Sequence, residues 1–272
     1  MSLFASRTRR AAARRLAIGA ALALVTLAAR GSPTATSETG AGHIVLVELF
    51  TSQGCSSCPP ADRLLTTLGG EDAGRVVPLA FHVDFWNSQG WTDPFSSRDW
   101  TFRQVAYERA LKLNQPYTPQ AVVDGSTEVL GSDGDALRAA IRSAAERPGA
   151  RLALAVAPSG SKVEVAVDVN RPDALKEEKL DLYVAVFETG LSTPVGKGEN
   201  GGHTLRNDYV VRVLDRAGRL SKKDPSPSHH TASFRLSKDW NPAHLGVAAF
   251  LQDPATLAVR GSAALPLTPP AP

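Results

Sequence analysis

The feature that most constrains the fold is a pair of cysteines between a strand-like and a helix-like segment. Cys55-Ser56-Ser57-Cys58 follows the apolar run His43–Phe50 and directly precedes Pro59-Pro60. Two consecutive prolines are tolerated in the first turn of a helix, where the missing N–H groups have no partner in any case. The pattern therefore predicts a strand, then a helix that begins at Ser57 or Cys58 with the cysteines at its N-terminus.

The spacing of the cysteines indicates a reactive pair rather than a purely structural disulfide. They are the only two cysteines in a chain of 272 residues, whereas a disulfide scaffold needs several that are spread along the chain. A loop closed by two intervening residues removes little chain entropy. At a helix N-terminus, unpaired N–H groups and the helix dipole favour a thiolate. We predict that Cys55 is the nucleophile and that Cys58 resolves the mixed disulfide.

Other uses of the pair stay open at this point. It can be an inert structural disulfide, or a copper site formed by two thiolates and His82, although the only methionine is the initiator and supplies no thioether. A structural zinc site usually needs two such pairs. We predict no metal and no cofactor, because the cysteines themselves carry the electrons.

The order of the elements expected in residues 43–147 predicts a three-layer α/β domain. Its elements run strand, helix, strand, helix, strand, strand, helix, which describes a parallel βαβ unit, an antiparallel hairpin and a covering helix. The first helix is expected to end at Gly69-Gly70. Predicted strands span residues 43–50, 75–83, 120–123 and 127–130. The later helices are expected to be capped by Ser96 or Ser97 and by Ser132 or Asp133.

Residues 150–266 have a different sequence pattern. Short runs with alternating apolar residues are separated by Gly and Pro turns, and no long helical pattern is present. This arrangement predicts a mostly antiparallel β-sandwich domain, with a boundary near 148–150.

The N-terminus has the pattern of a signal peptide. Five arginines precede the apolar run Leu16–Ala29, whose 14 residues are few for a bilayer span but suit a signal-peptide core. We predict a signal peptide over 1–30, a flexible linker over 31–42, export to the periplasm or beyond, and no stable membrane insertion after cleavage. An uncleaved anchor is the alternative.

Charge argues against nucleic-acid binding. Residues 1–30 contain six arginines and no acidic residue, so the rest of a chain with net charge +3 carries −3. A protein without a basic excess has little with which to neutralise phosphates.

Five segments together resemble a bacterial family of exported thioredoxin-like proteins that carries a domain of unknown function. They are ELFTSQGCSSCPPAD (48–62), FHVDFW (81–86), WTDPFSSR (91–98), YTPQAVVDG (117–125) and GENGG (198–202). The resemblance covers nearly all of the chain after the leader. It implies the thioredoxin fold and export, whereas the family itself has no settled activity.

The resemblance also implies roles for single residues. Thioredoxin-like proteins place a cis-proline beside the cysteines, and the residue before it binds substrate backbone; Pro119 and Thr118 match these positions. Glu48 is the nearest equivalent of their buried carboxylate, which implies proton transfer to or from Cys58. An exposed or salt-bridged glutamate is the alternative at this position.

The chain also departs from thioredoxins next to the cysteines. Gly54 stands where thioredoxins have a tryptophan, and Ser56-Ser57 replace Gly-Pro, so the redox potential does not carry over. We expect Gly54 and Trp86 to contribute to substrate binding. The aromatic segment 85–102 lines a peptide groove or packs as core, and His82 is a structural residue, a proton carrier or a ligand.

The resulting hypothesis is an exported protein that resembles thiol–disulfide oxidoreductases. Its partners would be thiols or disulfides of proteins or small molecules, and the direction of electron flow is undetermined. A copper-handling or redox-sensitive binding protein is the alternative.

Overall fold

The structure is a computed structural model that describes residues 35–38, 43–176 and 178–267. The predicted signal peptide, residues 1–30, lies outside the described residues. Within the described part, no helix is both long enough and apolar enough to cross a membrane.

Residues 43–147 contain the seven predicted elements in the predicted order. They are β2 (Val45–Thr51), α1 (Pro59–Glu71), β3 (Val76–His82), α2 (Arg98–Leu111), β4 (Gln120–Val123), β5 (Thr127–Leu130) and α3 (Gly134–Ala145). Of the two candidates predicted for each helix, Ser97 caps α2 and Asp133 caps α3: each side chain accepts a hydrogen bond from a backbone N–H in the first turn.

Helix α1 differs from the prediction at its C-terminal end. It continues through Gly69 and Gly70 to Glu71 instead of ending at the glycines. The ring of Tyr209 lies against Gly69 so closely that a Cβ there would clash with it. Gly69 therefore permits close packing on the helix rather than terminating it.

The remaining described strands lie before and after residues 43–147. They are β1 (Ala35–Glu38), β6 (Arg151–Ser159), β7 (Lys162–Asn170), β8 (Leu180–Glu188), β9 (Leu191–Pro194), β10 (Thr204–Asn207), β11 (Val210–Leu220), β12 (Ser228–Arg235), β13 (Leu245–Gln252) and β14 (Val259–Pro266). The short strands β9 and β10, which form a hairpin, were not predicted.

One mixed sheet of eight strands organises the molecule, in the order β14-β13-β8-β11-β3-β2-β4-β5. Strand β3 pairs in parallel with both β2 and β11, while the other neighbours are antiparallel. Strands from 43–147 and from 150–266 are thus hydrogen-bonded in the same sheet, and the predicted boundary at 148–150 does not divide it. The fold is mixed α/β with additional antiparallel strands.

A second, four-stranded antiparallel sheet has the order β1-β6-β7-β12. The apolar residues of β6 and β7 alternate, and the buried ones form a core with β8, β13 and β14. Strand β1 falls within residues 31–42, where the sequence predicts a flexible linker. Its backbone pairs with β6, whose edge would otherwise present unpaired N–H and C=O groups.

Strand β2 separates two further cores because its side chains alternate between the faces of the sheet. Val45, Val47 and Leu49 pack with residues of α1 and α3, whereas Leu46 and Phe50 pack with residues of α2. The cysteines belong to the first of these faces, since α1 begins directly after Cys58.

Candidate functional site

Cys55 and Cys58 form a disulfide at the N-terminus of α1, with their Cα atoms 5.5 Å apart. Cys58 is the N-cap residue, and its carbonyl accepts hydrogen bonds from the N–H groups of Ala61 and Asp62. Both cysteines are fully buried, although the two serines between them are exposed. The disulfide is therefore covered by other parts of the chain.

One wall beside the disulfide comes from the loop before β4. The Cys55 Sγ lies 3.8 Å from the carbonyl oxygen of Thr118, and the Thr118–Pro119 peptide bond is cis. Trp86 Nε1 donates a hydrogen bond of 2.8 Å to Thr118 Oγ1. A Cβ on Gly54 would lie 2.9 Å from the Cβ of Trp86. The structure thus brings Cys55, Gly54, Trp86, Thr118 and Pro119 together at one place.

The aromatic segment 85–102 divides between the core and this site. Trp100 is buried and packs edge-to-face on Phe81, whereas Trp86 contacts the surroundings of the disulfide. Phe102 is largely exposed. The segment therefore supplies one aromatic residue to the core and another to the surroundings of the disulfide, and the predicted peptide groove stays a prediction.

Glu48 lies elsewhere. Its carboxylate accepts hydrogen bonds of 2.6 and 2.8 Å from the guanidinium of Arg103 on α2. That guanidinium in turn sits over the rings of Phe81, Tyr107, Tyr183 and Phe250. The alternation of β2 directs Glu48 to the face opposite α1, so the structure does not bring it together with Cys58.

A different buried carboxyl belongs to the cysteine side of the sheet. Asp62 lies one turn after Cys58 on α1 and accepts a hydrogen bond of 2.8 Å from the hydroxyl of Thr51. Burial raises the pKa of Asp62 to about 6, against the opposing effects of the His82 charge and the Thr51 hydrogen bond. Asp62 can therefore change protonation near neutral pH.

His82 and Asp93 form a buried pair close to Asp62. His82 Nδ1 lies 2.7 Å from Asp93 Oδ2, and both side chains are fully buried. Burial alone would lower the pKa of His82, but the charge and hydrogen bond of Asp93 and the charge of Asp62 outweigh it and raise that pKa. Within the described residues, His82 Nε2 has no hydrogen-bond partner.

The pair also fixes the backbone before the cysteines. Asp93 Oδ2 accepts a hydrogen bond of 2.8 Å from the N–H of Gln53. Burial would raise the pKa of Asp93, but the charge and hydrogen bond of His82 and the N–H groups of Gln53 and Phe95 lower it overall. Asp84, which the sequence places beside His82, instead accepts a hydrogen bond from Thr101.

The loop between β9 and β10 lies over the cysteine segment; we call residues 195–203 the cap. Asn200 Nδ2 donates hydrogen bonds of 2.9 Å to the carbonyls of Gln53 and Cys55. Glu199 Oε2 accepts one of 2.9 Å from the N–H of Ser56. Hydrogen bonds from Ser56 lower the pKa of Glu199, so this exposed carboxylate is ionised at neutral pH.

The cap is held from within and from beneath. Backbone hydrogen bonds join Val195 to His203 and to Gly202, and Val195 is buried. Trp91 packs against Gly198, and its Nε1 donates a hydrogen bond of 3.3 Å to Gln53 Oε1. The cap is therefore an ordered hairpin end attached to the cysteine segment.

No group of three or more His, Cys, Asp or Glu side chains with the arrangement of a metal site occurs within residues 43–176 and 178–267.

The sequence interpretation assigned no role to four residues of this site, namely Asp62, Asp93, Glu199 and Asn200. Each lies in one of the segments on which the family resemblance rested, 48–62, 91–98 and 198–202. These segments meet around the disulfide. Their shared place in the family resemblance was the sequence signal that could have pointed to these four residues.

The fold and the site together describe a mixed α/β protein with a capped disulfide at a helix N-terminus. The chain belongs to the family described as "Protein of unknown function (DUF1223)", whose model matches residues 46–252.

Two solved structures are similar over most of the chain. A crystal structure of a protein from Agrobacterium tumefaciens is 31% identical, covers 84% of this chain and 96% of that one, and has a TM-score of 0.63. HBP35 of Porphyromonas gingivalis is 15% identical, covers 83% of this chain and 76% of that one, and has a TM-score of 0.61, a similarity of fold alone. No curated protein matches.

Proposed function

We propose that this protein carries out thiol–disulfide exchange through Cys55 and Cys58. The observation that carries the proposal is the position of the disulfide, at the N-terminus of α1 and beside the carbonyl of Thr118. Helix N-termini stabilise thiolates, and a nearby backbone carbonyl offers an acceptor to an extended substrate.

The reaction would begin with a thiolate that attacks the sulfur of Cys55. A bond forms between the two sulfurs, the Cys55–Cys58 bond breaks, and Cys58 leaves with the electron pair as a thiolate that takes up a proton. In the reverse direction, the Cys55 thiolate attacks a substrate disulfide, and Cys58 then displaces the substrate thiol. No other electron carrier is required.

A thioredoxin-like layout of residues 43–147 is part of the proposal. It is supported by the neighbouring strands β3-β2-β4-β5, of which β2 and β3 are parallel and the others antiparallel. It is supported as well by the positions of α1 and α3 on one face of β2 and of α2 on the other.

Asp62 is the side chain that we propose as the proton carrier for Cys58. It follows Cys58 by one turn, it is buried, and its pKa is near neutrality. A general acid or base works best when its pKa is close to the operating pH. Glu48 lacks this position because its carboxylate is paired with Arg103 on the other face of the sheet.

We further propose that the reaction takes place outside the cytoplasm, on thiols or disulfides of proteins or small molecules. The support is the basic and apolar pattern of residues 1–30, together with a cysteine content limited to this pair.

Trapping tests the proposal. Cys58→Ser removes the resolving thiol, so a mixed disulfide should accumulate on Cys55 when the full chain meets small disulfides or oxidised proteins. The matched variant Cys55→Ser, which keeps one cysteine at the same site, should trap far less. Mass spectrometry of the alkylated protein measures both.

The enzyme interpretation fails if Cys58→Ser reacts no faster than an ordinary thiol. Anaerobic titration of the reduced wild type with copper is the companion measurement. Stoichiometric binding that is lost in His82→Ala, without any trapped disulfide, would favour the metal-handling alternative instead.

A further inference from the structure

The cap is hydrogen-bonded to the backbone of the segment that carries the sulfur used in the proposed reaction. Cys55 is fully buried, while its carbonyl and that of Gln53 are occupied by the amide of Asn200. Thiol–disulfide exchange depends on access to the attacked sulfur. An attacking group must therefore reach a buried sulfur whose backbone on both sides is bonded to the cap.

The cap carries two exposed charged side chains, Lys197 and Glu199, of which Glu199 is hydrogen-bonded to the cysteine segment in the described residues. The carboxylate of Glu199 is exposed, ionised and hydrogen-bonded to the N–H of Ser56, the residue next to Cys55. Glu199 lies 143 positions after Ser56 in the sequence, and the hairpin that carries it packs on Trp91. The charge is thus held at a defined place beside the reacting sulfur.

Attackers in this chemistry are themselves charged. A thiolate is an anion, and a carboxylate on the same molecule adds a second negative charge that Glu199 repels. An ammonium group on the attacker is attracted instead. Near a protein surface, one such charge at several ångströms changes a rate about three- to tenfold.

We propose that Glu199 makes the cap a charge filter, so that the Cys55–Cys58 disulfide accepts thiols that carry a positive charge or none in preference to anionic thiols. This inference rests on the proposed function and adds its substrate class. The cap itself takes no part in the bond changes: the incoming thiolate bonds to the sulfur of Cys55, and Cys58 leaves with the electron pair.

The test uses three small thiols of similar size, namely cysteamine, mercaptoethanol and mercaptopropionate. Each reduces the oxidised full-length protein, and the disulfide it forms with itself accounts for the two electrons taken up by the cysteines. Rates are expressed per thiolate. The quantity of interest is the ratio of the cysteamine rate to the mercaptopropionate rate, because a general loosening of the cap cancels in that ratio.

We expect Glu199→Gln to lower this ratio about three- to tenfold relative to the wild type, and Glu199→Lys to lower it further. Added salt should shrink the wild-type ratio toward that of Glu199→Gln, because the charge is exposed. Glu164→Gln is the matched control: it removes the same charge from an exposed position on β7, in the other sheet, and should leave the ratio unchanged.

The outcomes separate the two proposals. If the disulfide reacts with all three thiols but the ratio is the same in wild type, Glu199→Gln and Glu199→Lys, the charge filter is wrong and the exchange reaction stands. If none of the thiols reduces the wild-type disulfide faster than a linear model disulfide, the proposed function itself fails.

Discussion

Two buried carboxyl groups, Glu48 and Asp62, lie on opposite sides of the central sheet and meet different partners. Glu48 is paired with the guanidinium of Arg103 in an aromatic enclosure. Asp62 meets the hydroxyl of Thr51 and faces His82. Burial is common to both, so the difference lies in what each carboxyl group contacts.

The comparison shows that a buried acid is not by itself a reactive one. A carboxylate paired with an arginine guanidinium in an apolar enclosure contributes to the architecture, because removing either partner leaves a buried, uncompensated charge. Desolvation raises the pKa of Asp62 into the working range of acid–base chemistry, although the hydrogen bond from Thr51 opposes the rise. The sequence predicts a buried acid with a chemical role at position 48, whereas we propose that role for Asp62.

The largest effect is expected when the Glu48 pair is broken. Arg103→Ala leaves the Glu48 carboxylate buried and uncompensated, which should lower the free energy of unfolding by about 3–5 kcal/mol. Urea denaturation measures this loss. The rate of thiol exchange in the folded variant should stay as in the wild type, because Glu48 and the disulfide lie on opposite faces.

A double variant completes this experiment. Combining Glu48→Gln with Arg103→Met removes both charges and should recover most of the lost stability, so that the effects of the single variants do not add. A loss of exchange activity in the folded Arg103→Ala protein would reverse the assignment and return the proton role to Glu48.

A smaller effect of opposite sign is expected at Asp62. Because its pKa is raised from 3.8 to about 6 by folding, the ionised form is disfavoured in the native state. The stabilising effect of the neutral form is fully present below the unfolded pKa and is lost as the pH rises through the folded one. Asp62→Asn stays neutral, so it should stabilise the protein by about 1–3 kcal/mol near pH 7 and hardly at all near pH 4.

Urea denaturation at the two pH values checks this prediction, with Asp215→Asn, an exposed position on β11, as the matched change. The same Asp62 variant should resolve mixed disulfides more slowly near neutral pH. A variant that is stabilised equally at both pH values would contradict the raised pKa of Asp62.

The smallest effect on stability is expected at the cap. Asn200→Ala removes the donors to the carbonyls of Gln53 and Cys55 and should cost about 1 kcal/mol, since water can reach the freed groups once the cap loosens. Reduction of the disulfide should become faster with cationic, neutral and anionic thiols alike. Stopped-flow reduction measures the rates, and an unchanged rate for every thiol would show that the cap does not limit access.

The elements of residues 43–147 could be predicted because local signals determine them. Alternating apolar runs, Ser97 and Asp133 at helix starts, and the prolines after Cys58 each act within a few residues. The end of α1 could not be predicted, because Gly69 makes room for the ring of Tyr209, which lies 140 positions away in the sequence.

The site, too, has a part that the sequence could predict and a part that it could not. The positions of Cys55 and Cys58 at the start of a helix follow from the sequence alone, since proline geometry and strand propensity are local. The role of Glu48 could not be settled, because alternation along β2 tells which residues share a face but not which face carries α1.

What the sequence by itself determined is the disulfide-forming pair and its place between a strand and a helix. The tertiary structure alone decided which distant side chains bind the backbone around that pair: Asp93 on one side, and Glu199 and Asn200 of the cap on the other. These contacts join residues far apart along the chain, and they depend on how the sheet orders its strands and where the β9–β10 hairpin comes to lie. Packing, rather than any local pattern, selects such neighbours.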